Sequence, residues 1–513
     1  MKTNILGQSY VARSINAADN RMVNLFPEQT PEAGKEIGFL NRTPGLNFLQ
    51  TVGTGPIRAL WSHQTNGADF YVVSGNEFYQ LDSLTGTPVL LGAVTGTGPV
   101  SIADNGTQIF LACNPDGYIY NEVTNAFAQI TDADFPGAKT VGYIDGYFVF
   151  NQPDSQLIWT SEILDGTQID PLSFASAEGS PDGVVGIIVD HREVWIFGTD
   201  SVEVWYDAGL TGFPLTRIQG AFNEIGCVSA YSIAKMDNGL FWLGTDARGQ
   251  GIVYRANGYT GTRISTHAIE YAIAQYGNIS DAAAYTYQQE GHSFYVLTFP
   301  SANATWVYDV ATGAWHERAG WENGVFTRHR SNCQCNFLGN TVVGDFENGN
   351  IYTLDLDVYA DNSQEQKWLR SWRALPTGQN NLNRTAQHSL QLDAETGVGL
   401  NLYSAYDGGE FITTEAGLIL TTEAGEQLTT TAYPEAPGYN PQAMLRWSDD
   451  GGHTWSSEHW ASMGKIGQYG FRTFWRRLGM TDKIRDRVYE VSGTDPVKVA
   501  IIGAELHISP TNA

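Results

Sequence analysis

Gly53-Thr54-Gly55-Pro56-Ile57 recurs as Gly96-Thr97-Gly98-Pro99-Val100, 43 residues further along the chain. After each copy the same order of features follows: a short apolar run, a polar turn, and two aromatic or β-branched runs separated by another turn. A repeat of about 40–45 residues built from short strands is typical of the blades of a β-propeller. Because a blade cannot bury both of its own faces, the repeats are expected to pack on one another around a central axis.

The same succession of runs continues more weakly beyond these two copies. It begins again near residues 141, 185, 231, 282 and 341. Together the copies predict a β-propeller of six or seven blades over residues 51–360. Residues 1–50 contain only a short strand and a turn, and we expect them to form an N-terminal arm that adds a strand to the last blade and removes its open edge.

After residue 360 the repeat stops, and residues 361–513 contain strand-like runs with alternating apolar residues. Alternation of this kind predicts an antiparallel β-sandwich-like domain. An eight-residue Thr-rich repeat, starting at Ile412 and again at Leu420, predicts an insertion at about 409–435. The predicted fold class is therefore all-β, with one helix over 266–276 that begins at Thr266 as its N-cap.

Charge and composition exclude several classes of function. The chain of 513 residues has a formal net charge of −26. Such acidity disfavours binding to the phosphates of nucleic acids and to anionic membranes. We find no apolar run of the roughly 20 residues that a membrane-spanning helix needs, so no integral membrane segment is expected. The first residues also lack the apolar core of a signal peptide.

The motifs that carry chemistry are few. Catalytic, phosphate-binding and dinucleotide-binding patterns are absent from the sequence, so no enzyme activity and no cofactor are predicted. Cys333, Cys335 and His329 suggest a metal site, but the CxxC spacing and a second cysteine pair are missing. We interpret the two cysteines as ordinary strand residues and predict no metal.

Residues 448–455 match the Asp-box pattern, which closes a tight turn through hydrogen bonds to an aspartate. The residues predicted to form it are Ser448, Asp450, Gly452 and Trp455. Asp-boxes are familiar in sialidases, so a glycosidase is one interpretation. However, sialidases carry the box in several blades, and here one copy lies outside the propeller. We therefore predict a structural role for this box.

A basic stretch interrupts the acidic chain between residues 471 and 487, where cationic residues alternate with aromatic ones. Its cationic members are Arg472, Arg476, Arg477, Lys483, Arg485 and Arg487. A basic patch with aromatic side chains in an acidic protein suits a contact with an acidic neighbouring protein. The alternative is a strand with a solvated charged face, and the sequence leaves both interpretations open.

Several stretches taken together resemble one family, the packaged-DNA stabilisation proteins of short-tailed bacteriophages, which form the tail hub or nozzle. They are residues 12–14, 24–28 and 43–46 in the arm, 180–183 and 196–205 in the middle, and 306–315 and 446–451 in the later part. No single motif is diagnostic, and the order and spacing of all of them carry the resemblance. The octad repeat is a departure from it.

The resemblance implies a virion structural protein. In such a family six copies form a ring below the portal and its adaptor, the head-to-tail connector, continue the DNA channel and retain the packaged genome. A tail needle or plug and tailspikes or fibres attach around the ring. The double-stranded DNA passes through without specific binding, and before assembly the protein is expected in the host cytoplasm.

Two other classes of function remain as alternatives. One is a tail-associated propeller that binds or cleaves host glycan, and the other is a cellular propeller that serves as a protein-interaction hub. The acidity of the chain agrees with the conduit that the resemblance implies, since an acidic wall repels phosphate and lets DNA slide.

Overall fold

The computed structural model describes residues 2–15, 18–30, 37–63, 69–177, 179–180, 182–246, 249–374, 384–400, 414, 418–421, 423, 437–481 and 487–510. The chain divides into two compact units. One unit comprises Met1–Gly45, Trp321–Gly324 and Leu356–Ala513, and the other comprises Leu46–Gly320 and Val325–Asp355. The second unit is the β-propeller, and the first is a β-sandwich.

The propeller contains seven antiparallel sheets, which we number as blades 1–7 in chain order from the innermost strand outward. Blades 1–4 have four strands each: Ile57–Ser62, Phe70–Ser74, Glu77–Leu81 and Val89–Ala93; Ser101–Asp104, Gln108–Cys113, Asp116–Asn121 and Ala126–Gln129; Val141–Ile144, Tyr147–Asn151, Leu157–Thr160 and Phe174–Ser176; Val184–Asp190, Glu193–Gly198, Val202–Asp207 and Leu215–Asn223.

Blades 5–7 are less regular. Two short strands share the inner position of blade 5, and the outer strand of blade 7 comes from the N-terminal arm. Their strands are Gly226–Cys227, Ala234–Met236, Gly239–Asp246, Gly249–Asn257 and Thr260–Arg263; Ala283–Gln289, His292–Phe299, Ala304–Asp309 and Ala314–Glu317; Ser331–Phe337, Asn340–Asp345, Asn350–Asp355 and Gly45–Thr51. Strands Ala319–Glu322 and Val325–Arg328 follow blade 6 in the chain.

The ring closes between blades 7 and 1. Their innermost strands are in contact, and the Asn332 side-chain amide donates a hydrogen bond of 2.9 Å to the Ile57 carbonyl oxygen. The structure therefore has seven blades, the upper of the two predicted counts. Strand Gly45–Thr51 lies beside Asn350–Asp355 in blade 7, which confirms that the arm adds a strand to the last blade.

Each blade buries apolar side chains from its strands against the next blade. Blade 1, for example, contributes Tyr71 and Phe78 to a cluster that also holds Ile109 and Leu111 of blade 2. In these strands nearly every residue is buried, because both faces of a blade are covered. This explains why the strands appear in the sequence as continuous apolar runs.

The predicted helix is present between blades 5 and 6. It spans His267–Ala274, and the Thr266 hydroxyl accepts a hydrogen bond of 3.4 Å from the Ile269 amide. Ile269 and Ile273, one turn apart, are buried in the core that blades 5 and 6 share. The N-cap and the apolar spacing therefore predicted this element correctly.

The sandwich consists of two antiparallel sheets whose facing side chains form one core, among them Leu390 and Trp475 from one sheet and Trp372 and Tyr489 from the other. The strands of this unit are Lys2–Thr3, Tyr10–Val11, Asp19–Asn20, Met22–Val23, Leu25–Gln29, Gly38–Arg42, Ala360–Asp361, Gln364–Glu365, Trp368–Arg373, Thr385–Ala394, Gln442–Ser448, His459–Ser462, Thr473–Arg476, Val488–Gly493 and Ala500–Pro510.

The role of the arm differs from the expectation in one respect. Its first 45 residues belong to the sandwich unit, and only its last strand joins the propeller. Strand Leu25–Gln29 pairs with Gly38–Arg42, which in turn pairs with Ala500–Pro510. Pairing across more than 450 residues leaves no periodic trace in the sequence. Most of the octad repeat at 412–432 lies outside the described residues.

Candidate assembly surfaces

A cavity of about 770 Å³ lies at the centre of the propeller, lined by the innermost strands of all seven blades. Innermost strands of about five residues are roughly 17 Å long, so this volume corresponds to a passage on the order of 10 Å across. The major groove of B-DNA alone is about 12 Å wide. A double helix therefore cannot follow the propeller axis.

Arg58 connects blades 1 and 2 at this cavity. Its guanidinium donates to the carbonyl oxygens of Gly98 (2.6 Å), Gly75 (3.0 Å) and Thr95 (3.0 Å). A Cβ on Gly96 would lie 3.2 Å from the Arg58 guanidinium, and Gly96 has a φ of +78°. The second copy of the Gly-Thr-Gly-Pro repeat thus forms the loop that holds Arg58, and both copies directly precede an innermost strand.

Polar contacts join neighbouring blades at the turns that follow their innermost strands. Arg192 of blade 4 forms an ion pair of 2.6 Å with Asp145 of blade 3. His191 Nε2 lies 2.7 Å from the Asn238 Oδ1 atom of blade 5, and Lys235 lies 3.7 Å from Asp190. The cationic groups at this end of the propeller are therefore engaged by its own carboxylates and amides.

His63 is held between blades 1 and 2 by two carboxylates. Its Nε2 atom lies 2.7 Å from Glu122 Oε1 and its Nδ1 atom 3.4 Å from Asp104 Oδ1. The hydrogen bonds to Asp104 and Glu122 raise the pKa of His63 to about 10. Tyr71 also donates a hydrogen bond of 2.5 Å to Glu122. The arrangement stabilises an imidazolium ion and brings two carboxylates together.

The charge of the propeller is concentrated in its first four blades. Residues 57–223, which form these blades, contain twenty Asp and Glu residues but only four Lys and Arg residues, whereas residues 224–355 contain twelve and seven. Such a surface repels phosphate and other acidic proteins beyond contact distance, within the Debye length of about 8 Å at physiological salt. The overall net charge does not indicate this local concentration, which appears only when the charges are counted along the chain.

The Asp-box forms a tight turn in the sandwich. Asp450 Oδ1 accepts hydrogen bonds from the Ser448 hydroxyl (2.6 Å) and from the amides of His453 and Thr454 (2.9 Å each). Hydrogen bonds from Ser448 and Thr454 lower the pKa of Asp450. Gly452 has a φ of +105°, and the Trp455 ring lies under the Arg446 guanidinium at 4.9 Å. That the box is structural stays a prediction.

Part of the basic stretch lines a surface pocket of about 650 Å³, which we call the arginine pocket. Its lining includes Arg476, Arg477, His388, Phe474 and Met480. Strand Thr473–Arg476 is at the edge of its sheet, where Arg476 pairs with Ser389 and the Arg477 amide donates to the His388 carbonyl oxygen. Within the described part of the chain, no carboxylate forms an ion pair with either arginine.

His388 was not singled out from the sequence. It lies at the arginine pocket because its strand, Thr385–Ala394, is placed between strands Thr473–Arg476 and Ala500–Pro510. Its ring contacts that of His507 in a tilted arrangement, with centroids 5.1 Å apart and an angle of 43° between the ring planes, and its Nε2 atom lies 2.6 Å from the Ser509 hydroxyl. Only the strand register brings these residues together, so no sequence motif indicates them.

Arg487 has to be removed from the predicted contact surface. Its side chain is buried, and its guanidinium donates two hydrogen bonds of 2.7 Å to Asp449 and one of 2.6 Å to the Leu478 carbonyl oxygen. A cation engaged in this way serves the interior of the sandwich. Arg472 is exposed. Lys483 and Arg485 lie outside the described residues, so their predicted role stays a prediction.

Metal binding and membrane insertion find no support in the parts of the chain that the structure describes. There, no three His, Cys, Asp or Glu side chains are grouped so as to hold a metal ion. Among the same residues no helix has the length and apolarity needed to cross a bilayer. Cys335 is buried in the core between blades 1 and 7.

Comparison with solved structures gives only low similarity. The computationally designed Ika8 protein aligns with a TM-score of 0.37 at 14% identity, covering 61% of this chain and 99% of its own. The N-terminal domain of Nup159 aligns at 0.39 and 8%, covering 66% and 99%. BamB from Moraxella catarrhalis aligns at 0.37 and 11%, covering 65% and 96%. No curated protein matches the chain.

Two family models match successive parts of the sequence. Residues 2–359 match the β-propeller of bacteriophage P22 Gp10, and residues 405–509 match its β-sandwich. Their order agrees with the order of the propeller and the last strands of the sandwich along this chain. The match covers well over half of the sequence, so the chain belongs to the P22 Gp10 family of packaged-DNA stabilisation proteins, the structural tail proteins of phage virions.

Proposed function

We propose that six copies of this chain form the tail hub, or nozzle, below the portal and its adaptor. The ring continues the DNA channel, retains the packaged genome and anchors a needle or plug and tailspikes or fibres. The match of both domains to a phage tail family carries the proposal.

Two features of the structure support a ring that conducts DNA. The propeller axis is too narrow for a duplex, so the conduit is made by several chains around a shared axis. The acidic surface of blades 1–4 suits the wall of this conduit, because carboxylates repel phosphate. They also cannot replace the cations condensed on DNA, so no counterion release favours binding. DNA in such a channel is confined without being bound.

The proposal is tested by the particle mass of the purified chain, alone and mixed with the adaptor of its phage. We expect a species of six copies in at least one of the two samples. A monomer in both, at micromolar concentrations, would overturn the ring. Filled heads that carry the ring should also protect their DNA from nuclease better than heads that lack it.

Glycan recognition by the propeller remains the alternative function. It is distinguished by incubating the purified chain with host polysaccharide and measuring released sugar. We expect none. Hydrolysis that is lost in an Asp450→Ala variant with an intact fold would replace the structural role of the Asp-box by a catalytic one.

A further inference from the structure

Blade 3 carries a tight turn at residues 162–165, whose two central residues present aliphatic side chains to solvent. We call it the apolar turn. Glu162 and Asp165 form an isolated β-bridge, and the Asp165 amide donates to the Glu162 carbonyl oxygen at 3.3 Å. Between them Ile163 is 59% exposed and Leu164 60% exposed. Adjacent aliphatic side chains at the tip of a turn are costly to keep in water unless something covers them.

The apolar turn is fixed in place by hydrogen bonds to blades 2 and 3. The Leu164 amide donates to the Gly146 carbonyl oxygen at 2.7 Å. Gln108 of blade 2, itself buried, donates to Asp165 at 3.3 Å and accepts from the Gly166 amide at 2.8 Å. The bonds that Asp165 receives within the loop engage its charge internally, and Glu162 is the outward-facing carboxylate.

Leu164 has a φ of +58°. A left-handed conformation at the third position of a turn favours Gly or Asn, and a bulky side chain there is strained. Strain of this kind persists when the surrounding hydrogen bonds enforce it, and it concentrates at functional positions. An exposed, strained leucine on a rigid support is therefore a candidate contact residue.

The chemistry of the apolar turn is the complement of the arginine pocket. The turn presents two aliphatic groups beside the exposed carboxylate of Glu162, within the most acidic part of the chain. The pocket presents Phe474 and Met480, the latter 50% exposed, beside the guanidinium groups of Arg476 and Arg477. A second copy of this chain is the occupant that this match of charge and apolar surface favours.

We propose that residues 162–165 of one copy dock into the arginine pocket of the next copy. The proposal rests on the ring proposed above and names the contact that builds it. Two different surfaces meet, so the contact is heterologous, and repeated contacts of this kind close into a ring when the rotation between copies allows it. Glu162 would pair with Arg476 and Arg477 while Ile163 and Leu164 cover Phe474 and Met480.

A cysteine pair tests the contact directly. Leu164→Cys and Met480→Cys are purified separately, mixed, and treated with a short bismaleimide. We expect a crosslinked species of two chains from the mixture and not from either variant alone. The matched control is Leu172→Cys, 76% exposed in the same loop, mixed with Met480→Cys. Crosslinking no stronger than in this control overturns the proposal.

Leu164→Gly separates assembly from folding. Glycine relieves the strain at a positive φ, so the variant should unfold at the same or a higher urea concentration than the parent. Its ring should nevertheless dissociate at a protein concentration at least severalfold higher. An unchanged dissociation concentration would overturn the contact. If the parent forms no ring but the cysteine pair still crosslinks, the proposed ring fails and the contact stands.

Discussion

Blades 1–4 and the last strands of the sandwich use charge in opposite ways. Residues 57–223 have twenty acidic and four basic residues, whereas residues 437–510 have nine basic and eight acidic residues. In the blades some of the scarce cations pair with the propeller's own carboxylates, as Arg192 does with Asp145 and Arg217 with Glu203. In the sandwich Arg476 and Arg477 line an open pocket. The two regions therefore differ in charge in the way that the proposed contact between residues 162–165 and the arginine pocket requires.

The sandwich contains a buried arginine, Arg487, and exposed arginines such as Arg477, and replacing each kind by leucine distinguishes them. Arg487→Leu should lower the free energy of unfolding by about 2–4 kcal/mol, because it leaves Asp449 and a buried carbonyl oxygen without their donor. The exposed Arg477→Leu should change it by no more than about 0.5 kcal/mol. Urea denaturation followed by tryptophan fluorescence measures both. Equal losses would contradict the assignment of Arg487 to the interior.

Reversing the charge of the two exposed arginines in the pocket tests whether they hold copies of the chain together. Arg476→Glu with Arg477→Glu should weaken association of the chain about tenfold, and more so at low salt, where exposed charges are least screened. Sedimentation at several salt concentrations measures the effect. Lys498→Gln, at a half-exposed lysine of the same unit that pairs with Glu395 at 3.0 Å, is the control and should assemble like the parent. If the double variant also does so at every salt concentration, the pocket is only a solvated face.

In the acidic blades, the ion pairs of His63 should make a smaller contribution to stability, and one that depends on pH. Its pKa is raised to about 10 in the folded chain and is about 6.5 when unfolded. The stabilisation is therefore complete below about pH 6.5 and is lost as the pH rises through 10. The melting temperature of the parent should exceed that of His63→Gln at pH 6, and the gap should shrink by pH 10. His453→Gln, at an exposed position, provides the control. A gap that is independent of pH would contradict the ion pairs.

The sequence predicted those features that depend on neighbouring residues. The blade repeat is visible because each blade is built from one continuous stretch, and Thr266 indicated the helix because a cap acts within one turn. The exception among the blades is the seventh, whose outer strand Gly45–Thr51 precedes blade 1 in the chain. The family resemblance rested on the order of many short stretches, which the family models confirm.

The features that the sequence did not predict depend on partners far along the chain. Arg487 was grouped with the contact arginines because its partner Asp449 lies 38 residues away, and nothing local distinguishes a buried arginine from an exposed one. His388 and His507 meet only through strand register. The first 45 residues appeared to be an independent arm because their strands pair with others that follow hundreds of residues later.

Strand Gly45–Thr51 also has a consequence for the order of events on the ribosome. It is made before blade 1, but its partner Asn350–Asp355 is among the last strands of the propeller to be synthesised. At about 5–20 residues per second, the roughly 300 residues between them take on the order of 15–60 s to appear. During that interval the strand has an unpaired edge, and unpaired edges promote aggregation. Slower translation or a higher temperature should therefore reduce the yield of soluble protein before it affects the protein that has already folded.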